Sequence, residues 1–262
     1  MCVGGVCGGT GQPPPDAGCA PVTDPQVADE DGDHLADSCD PCPLVAGGAT
    51  VDTDGDGLPD VCDPNLGAPS GHPADSAWLF EGFRTQPGWA ASGGWVEASD
   101  HNSLQVSAPG AITDDEREII LPLSRSGRAF DDFRVSASIR VGTTIGTYGP
   151  EIGLRILDEV TTASVNCTIS QDSTDTSARF FGVADDNALD AGGLFPWKEN
   201  TNYTLELVRH GTSYLCRVTG SASDPTPATG TSPVTARSGN AVRIWAFGMT
   251  ASINWVYVVG SP

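Results

Sequence analysis

Residues 133 to 141 read Phe-Arg-Val-Ser-Ala-Ser-Ile-Arg-Val, apolar at each odd position and polar at each even one. A period of two puts Phe133, Val135, Ala137, Ile139 and Val141 on one face of a strand, and Arg134, Ser136, Ser138 and Arg140 on the other. Shorter runs of the same kind, broken by Gly, Pro, Asn and Asp, predict strands at 77–83, 103–107, 117–121, 151–157, 163–170, 178–184, 202–209, 213–218, 241–247 and 252–259. No comparable helical run exists. About a dozen strands in roughly 185 residues suit a two-sheet jelly roll better than a seven-strand immunoglobulin domain. Trp78, Trp245 and Trp255 lie in these runs and are expected to fill the core. Cys167 and Cys216, both mid-strand, are expected to pair.

Upstream of Ala77 the alternation is missing. Its place is taken by an internal repeat of period 23, in which Cys19/Cys42, Asp29/Asp52, Asp31/Asp54, Gly32/Gly55, Asp33/Asp56, Leu35/Leu58, Asp37/Asp60, Cys39/Cys62 and Asp40/Asp63 superimpose without a gap. Counted from Asp52, carboxylates fall at loop positions 1, 3, 5, 9 and 12, and Leu58 offers its carbonyl at position 7. That spacing serves a hard cation taking six to eight oxygens in flexible geometry, which fits calcium better than magnesium. The candidate ligands are therefore Asp29, Asp31, Asp33, Leu35, Asp37 and Asp40 in one copy, and Asp52, Asp54, Asp56, Leu58, Asp60 and Asp63 in the other. Position 6 is Gly57 in the second copy but His34 in the first, where positive φ comes less easily, so the first site is expected to be the weaker.

Charge sharpens the division. No Lys or Arg precedes Arg84, so of the net −21 the first 83 residues account for −15 and the remaining 179 for −6. Such a field repels nucleic acid and anionic lipid and attracts divalent cations. Eight cysteines, six within the first 62 residues, point to an oxidising compartment. Zinc fails on ligands, because C-x-x-C occurs once and no His pair has metal spacing. No apolar run of about 18 residues predicts a membrane span, and no leader opens at Met1, so an export signal is expected upstream or already removed. Arg outnumbers Lys twelve to one, a coding bias compatible with a bacterial source.

An EF-hand or dockerin needs a helix after each loop, but Pro41, Pro43 and Pro64 stop one. The run D-x-D-x-D-G-x-x-D-x-C-D, followed by Asp40-Pro41-Cys42-Pro43, resembles the thrombospondin type 3 repeat over about 45 residues. That resemblance implies a segment wrapped around calcium ions with almost no hydrophobic core. The residues agree: Val27, Leu35, Val45, Val51, Leu58 and Val61 are too few to offset an ordering entropy of about 1–2 kcal/mol per residue. Equal separations of 20 residues suggest Cys19–Cys39 and Cys42–Cys62, and Cys2–Cys7 are expected to pair with each other.

The opening Phe80-Glu81-Gly82-Phe83 and the closing Ile253-Asn-Trp-Val-Tyr-Val258 resemble concanavalin A-like or laminin G-like jelly rolls, which begin and end on neighbouring strands. The fold class expected is thus all-β: a two-sheet antiparallel jelly-roll sandwich preceded by a helix-poor, calcium- and disulfide-stabilised repeat segment. Its divisions are a Cys-containing segment 1–18, repeats 19–65, a linker 66–75 and the jelly roll 76–262. Trp89 and Trp197, in Gly/Pro-flanked loops, are the candidate glycan contacts. Catalysis has little support, since no E-x-D-x-E, G-x-S-x-G or H-E-x-x-H run occurs. The expected function is that of an extracellular or cell-surface adhesion protein, whose calcium-rigidified stalk presents a domain that binds glycan or a surface protein. A self-assembling fibre or matrix subunit is the alternative, and a glycan-active enzyme the second.

Overall fold

The computed structural model describes Asp29, 31–36, Asp40, Cys42, 45–46, 51–53 and 58–63 of the N-terminal region. From Ser76 onward it describes the strands and the turns at 94–98, 103, 145, 149–150, 195–200, 211–212, 220, 227 and 248. Cys2, Cys7, Cys19, Asp37, Cys39, Asp54, Asp56 and Trp89, singled out above, lie outside these residues.

Seventeen strands follow one another with no helix among the described residues. They are β1 (Ser76–Glu81), β2 (Ala90–Ala91), β3 (Val96–Glu97), β4 (Leu104–Ala108), β5 (Arg117–Pro122) and β6 (Ser124–Arg125). Then come β7 (Arg128–Ala129), β8 (Asp132–Thr144), β9 (Glu151–Leu157), β10 (Ser164–Gln171), β11 (Ala178–Ala184) and β12 (Asn187–Leu189). The chain closes with β13 (Thr201–His210), β14 (Ser213–Thr219), β15 (Ala228–Thr231), β16 (Ala241–Phe247) and β17 (Met249–Ser261). No helix of the described residues is long and apolar enough to cross a membrane.

The long strands form two antiparallel sheets, a jelly-roll sandwich. The first runs β15-β14-β13-β8-β17-β4-β3, with β1 also on β17, and the second β12-β11-β10-β9-β16-β5-β2. First and last strands are neighbours, Ser76 opposite Gly260 and Glu81 opposite Trp255. Alternation dictates the core: Phe133, Val135, Ala137, Ile139 and Val141 of β8 are fully buried, facing Ile152, Leu154 and Ile156 of β9 and Val165 and Ile169 of β10. A bond between Cys167 of β10 and Cys216 of β14 ties the sheets together through this interior.

Trp245 and Trp255 are buried as expected, but on the outer faces of their sheets, and the side chain of Trp78 lies outside the described residues. On β16, Ile244 and Ala246 point into the core, so Trp245 points away from it. On β17 the register slips between Ile253, opposite Ile139, and Trp255, opposite Ser138. That bulge inserts Asn254 and reverses the facing, so Val256 and Val258 enter the core and Trp255, Tyr257 and Val259 form a strip outside. Asn254 then donates from Nδ2 to Ser138 Oγ at 3.2 Å. Trp95, beside β3, joins the core and donates from Nε1 to the Arg117 carbonyl at 3.0 Å.

Candidate functional site

In the first acidic loop each carboxylate holds a backbone N–H ahead of it. Asp29 accepts from Gly32 (3.0 Å) and His34 (3.1 Å), Asp31 from Asp33 (3.0 Å), and Asp33 from Leu35 (2.8 Å). Gly32 and His34 both take left-handed φ, 76° and 75°, which coils the chain tightly enough to bring side chains of alternate residues together. Position 6 of this copy thus has the positive φ that the spacing demands, on a residue for which it costs about 1–2 kcal/mol. Carboxylate oxygens of Asp29, Asp31 and Asp33 lie within 4.8 Å of one another. Burial raises the Asp31 carboxyl above the ordinary Asp range, and repulsion from Asp33 and Asp29 adds to it. Asp31 Oδ2 is buried without a hydrogen-bond partner. Crowded, half-buried carboxylates with an unmet oxygen have the donor chemistry of a hard divalent cation, so the residues present fit calcium.

In the second loop Thr53 donates from its backbone N and from Oγ1 to the Asp60 carboxylate, both at 2.7 Å. The Asp60 N–H returns to the Val51 carbonyl at 2.8 Å. Asp40 and Asp63, the last position of each loop, are 9% and 3% exposed, and Asp40 accepts from the Cys42 N–H at 2.7 Å. Asp52 sits beside Thr53 at the loop's entry. Cys42 and Cys62 are bonded to each other.

The second copy also rests on the sandwich. Cys42, Leu58 and Cys62, with half-buried Val45 against them, form one apolar cluster with Trp255, Tyr257 and Val259 on the outer face of β17. The apolar residues that looked too few to hold this segment are completed by a strip on the last strand. The segment is an arm seated on the sandwich, not a spacer holding it at a distance.

The second sheet's outer face is different. Glu118 of β5 accepts from Arg243 Nη1 of β16 at 2.6 Å and from Arg155 Nη1 of β9 at 3.2 Å. Arg155 also donates from Nε to Asn166 Oδ1 on β10 at 3.0 Å, and its guanidinium lies 4.8 Å from the Trp245 ring centroid. Trp197 is half-buried against the core, just after Phe195, with its Nε1 buried and lacking a hydrogen-bond partner. Sequence reasoning missed the Glu118–Arg155–Arg243–Asn166 group. The signal available was the shared parity of Arg243 and Trp245, two positions apart on one face of β16, but the pairing of β16 with β9 and β5 is long-range.

No family model and no curated protein matches the chain. Among solved structures, the CBM2 module of Lactobacillus casei BL23 phage J-1 evolved Dit superimposes with a TM-score of 0.50 at 13% identity, covering 71% of this chain and 97% of that one. Peanut lectin with a nine-residue peptide gives 0.49 at 12% identity over 71% and 97%. The carbohydrate binding module CBM66 from Bacillus subtilis gives 0.42 at 16% over 64% and 92%. At these identities the likeness is one of fold, and the first of the three supports the jelly-roll sandwich.

Proposed function

We propose that this is an exported, surface-acting glycan-binding protein whose acidic N-terminal arm is ordered by calcium. The observation that carries the calcium half is the convergence of Asp29, Asp31 and Asp33 within 4.8 Å. Three carboxylates so close repel one another, and a divalent ion among them turns that repulsion into attraction. Asp29, Asp31, Asp33, Asp37 and Asp40, with the Leu35 carbonyl, would hold the ion of the first copy, and Asp52, Asp54, Asp56, Asp60 and Asp63, with the Leu58 carbonyl, that of the second. The sandwich shares its fold with a carbohydrate-binding module, which supports the glycan half. Disulfides in both arm and sandwich suit an oxidising exterior.

The test is calorimetric titration of calcium into the oxidised chain, followed by a glycan array read with and without the ion. Saturable heat with two classes of site and at least one bound glycan is expected. No heat on adding calcium would overturn the first half, and a blank array the second.

A further inference from the structure

Of the sandwich's two outer faces, one carries the arm over Trp255, Tyr257 and Val259. The other carries a polar group built across four adjacent strands. In register, Arg243 of β16 neighbours Arg155 of β9, which neighbours Asn166 of β10. One row along, Glu118 of β5, Trp245, Gly153 and Thr168 stand side by side. Glu118 spans the rows by binding both arginines, and Asn166 holds Arg155 from the far side.

Three features set this group apart from an ordinary solvated face. Its charged side chains are about four-fifths buried, at 20% exposure for Arg155 and Glu118 and 18% for Arg243, yet each keeps an edge in solvent. They are held by fixed partners, so little side-chain freedom is left to lose on binding. Beneath them lie two polar atoms with no hydrogen-bond partner, Trp245 Nε1 and Thr168 Oγ1, on residues 4% and 0% exposed. Gly153 lies between those two and leaves the sheet without a side chain there.

We propose that this face of the second sheet is the glycan contact surface and that it takes a neutral sugar. This rests on the glycan reading above and adds its location and chemical class. A sugar hydroxyl both donates and accepts, and this face offers guanidinium donors, a carboxylate acceptor and an amide that does both. Both described guanidiniums, Arg155 and Arg243, are already committed to Glu118, and in a neighbouring row Glu151 and Arg179 stand on either side of Ser170. A uronate or sulfate would have to displace Glu118 to pair with either guanidinium, whereas a neutral hydroxyl need not. Trp245, under the Arg155 guanidinium, is a positioning residue that fixes the plane of the donor.

The full chain is applied to an array of neutral hexose and pentose oligosaccharides beside uronate- and sulfate-bearing ones. The strongest neutral binder is then titrated against the parent, Glu118→Gln, Arg155→Lys and, on the covered sheet, Glu206→Gln. Neutral spots should respond. Glu118→Gln and Arg155→Lys should each weaken binding about tenfold or more with little change in melting temperature, and Glu206→Gln should not. Either of the two variants, if folded, suffices for the test. Neutral binding unchanged in both, or lost instead in Trp197→Ala, would overturn the location, and a response confined to acidic spots would overturn the class. A blank array would overturn the glycan reading itself, a result distinct from either.

Discussion

Arg134, on the outer face of β8, donates from Nη1 to the main-chain oxygen of Val61 at 3.1 Å, across 73 residues of sequence. Its Nε lies 3.1 Å from Glu206 Oε1 on β13, so the guanidinium that reaches the arm is anchored in the sheet. The contact fixes the edge of the seat whose floor is Trp255 and Tyr257.

Seating should therefore depend on apolar packing more than on that hydrogen bond. Leu58 is 6% exposed, and Leu58→Ala removes its packing against β17, at a cost of about 2–5 kcal/mol. Arg134→Ala removes one charge-assisted hydrogen bond to the arm, about 1.5–3 kcal/mol at most, together with the ion pair to Glu206 inside the sheet. Hydrogen exchange at 58–63 should rise markedly in the first variant and less in the second. Equal protection in parent and Leu58→Ala would show that the cluster does not hold the arm.

The two described disulfides should contribute unequally. In the chain-entropy account the 20-residue separation of Cys42 and Cys62 corresponds to about 3 kcal/mol, and the 49-residue separation of Cys167 and Cys216 to about 4. Urea unfolding of the paired Cys→Ala variants checks this. The sandwich midpoint should fall in C167A/C216A, whereas C42A/C62A should release the arm first.

Asp31 gives a pH prediction with a definite sign. Its proton affinity is raised in the folded arm, by burial first and by Asp33 and Asp29 next, so the folded state binds more protons there than the unfolded one. Stability from this group is then present at low pH and lost as pH rises through the carboxylate range. In chelator, proteolysis of the arm should slow as pH drops from about 6 to about 3, the range bracketing the ordinary Asp value. With calcium the trend should reverse, because protons compete with the ion. Asp31→Asn should protect the ion-free arm and weaken calcium binding, two opposite effects of one change that calorimetry and proteolysis separate.

Gly153→Ala tests how closely β9 and β10 approach. A Cβ there would lie 2.7 Å from Thr168 Oγ1 and 2.8 Å from the Cys167 carbonyl oxygen. The second contact is backbone and cannot rotate away, so a loss of about 1–3 kcal/mol is expected. A melting temperature equal to the parent's would contradict the geometry.

Much of the fold was legible along the chain, because a sheet with one buried face writes its period of two directly into sequence. The run from Phe133 to Val141 lies within Asp132–Thr144, and 151–157, 178–184 and 241–247 coincide with β9, β11 and β16. The short strands β2, β3, β6, β7, β12 and β15 were not legible, since two to four residues carry no measurable period. Trp255 escaped for another reason. Simple alternation from Ile253 sends it inward, and only the cross-strand register with β8 reveals the extra residue at Asn254.

Local spacing alone, then, determined strand identity, the acidic loops and the chemistry those loops suit, for each depends on residues only a few positions apart. What covers β17, and which side chains meet around Arg155, was decided by tertiary structure. Those contacts join Leu58 to Trp255 and Glu118 to Arg243, and pairing at such range is set by the packing of the whole sandwich, which no local pattern encodes.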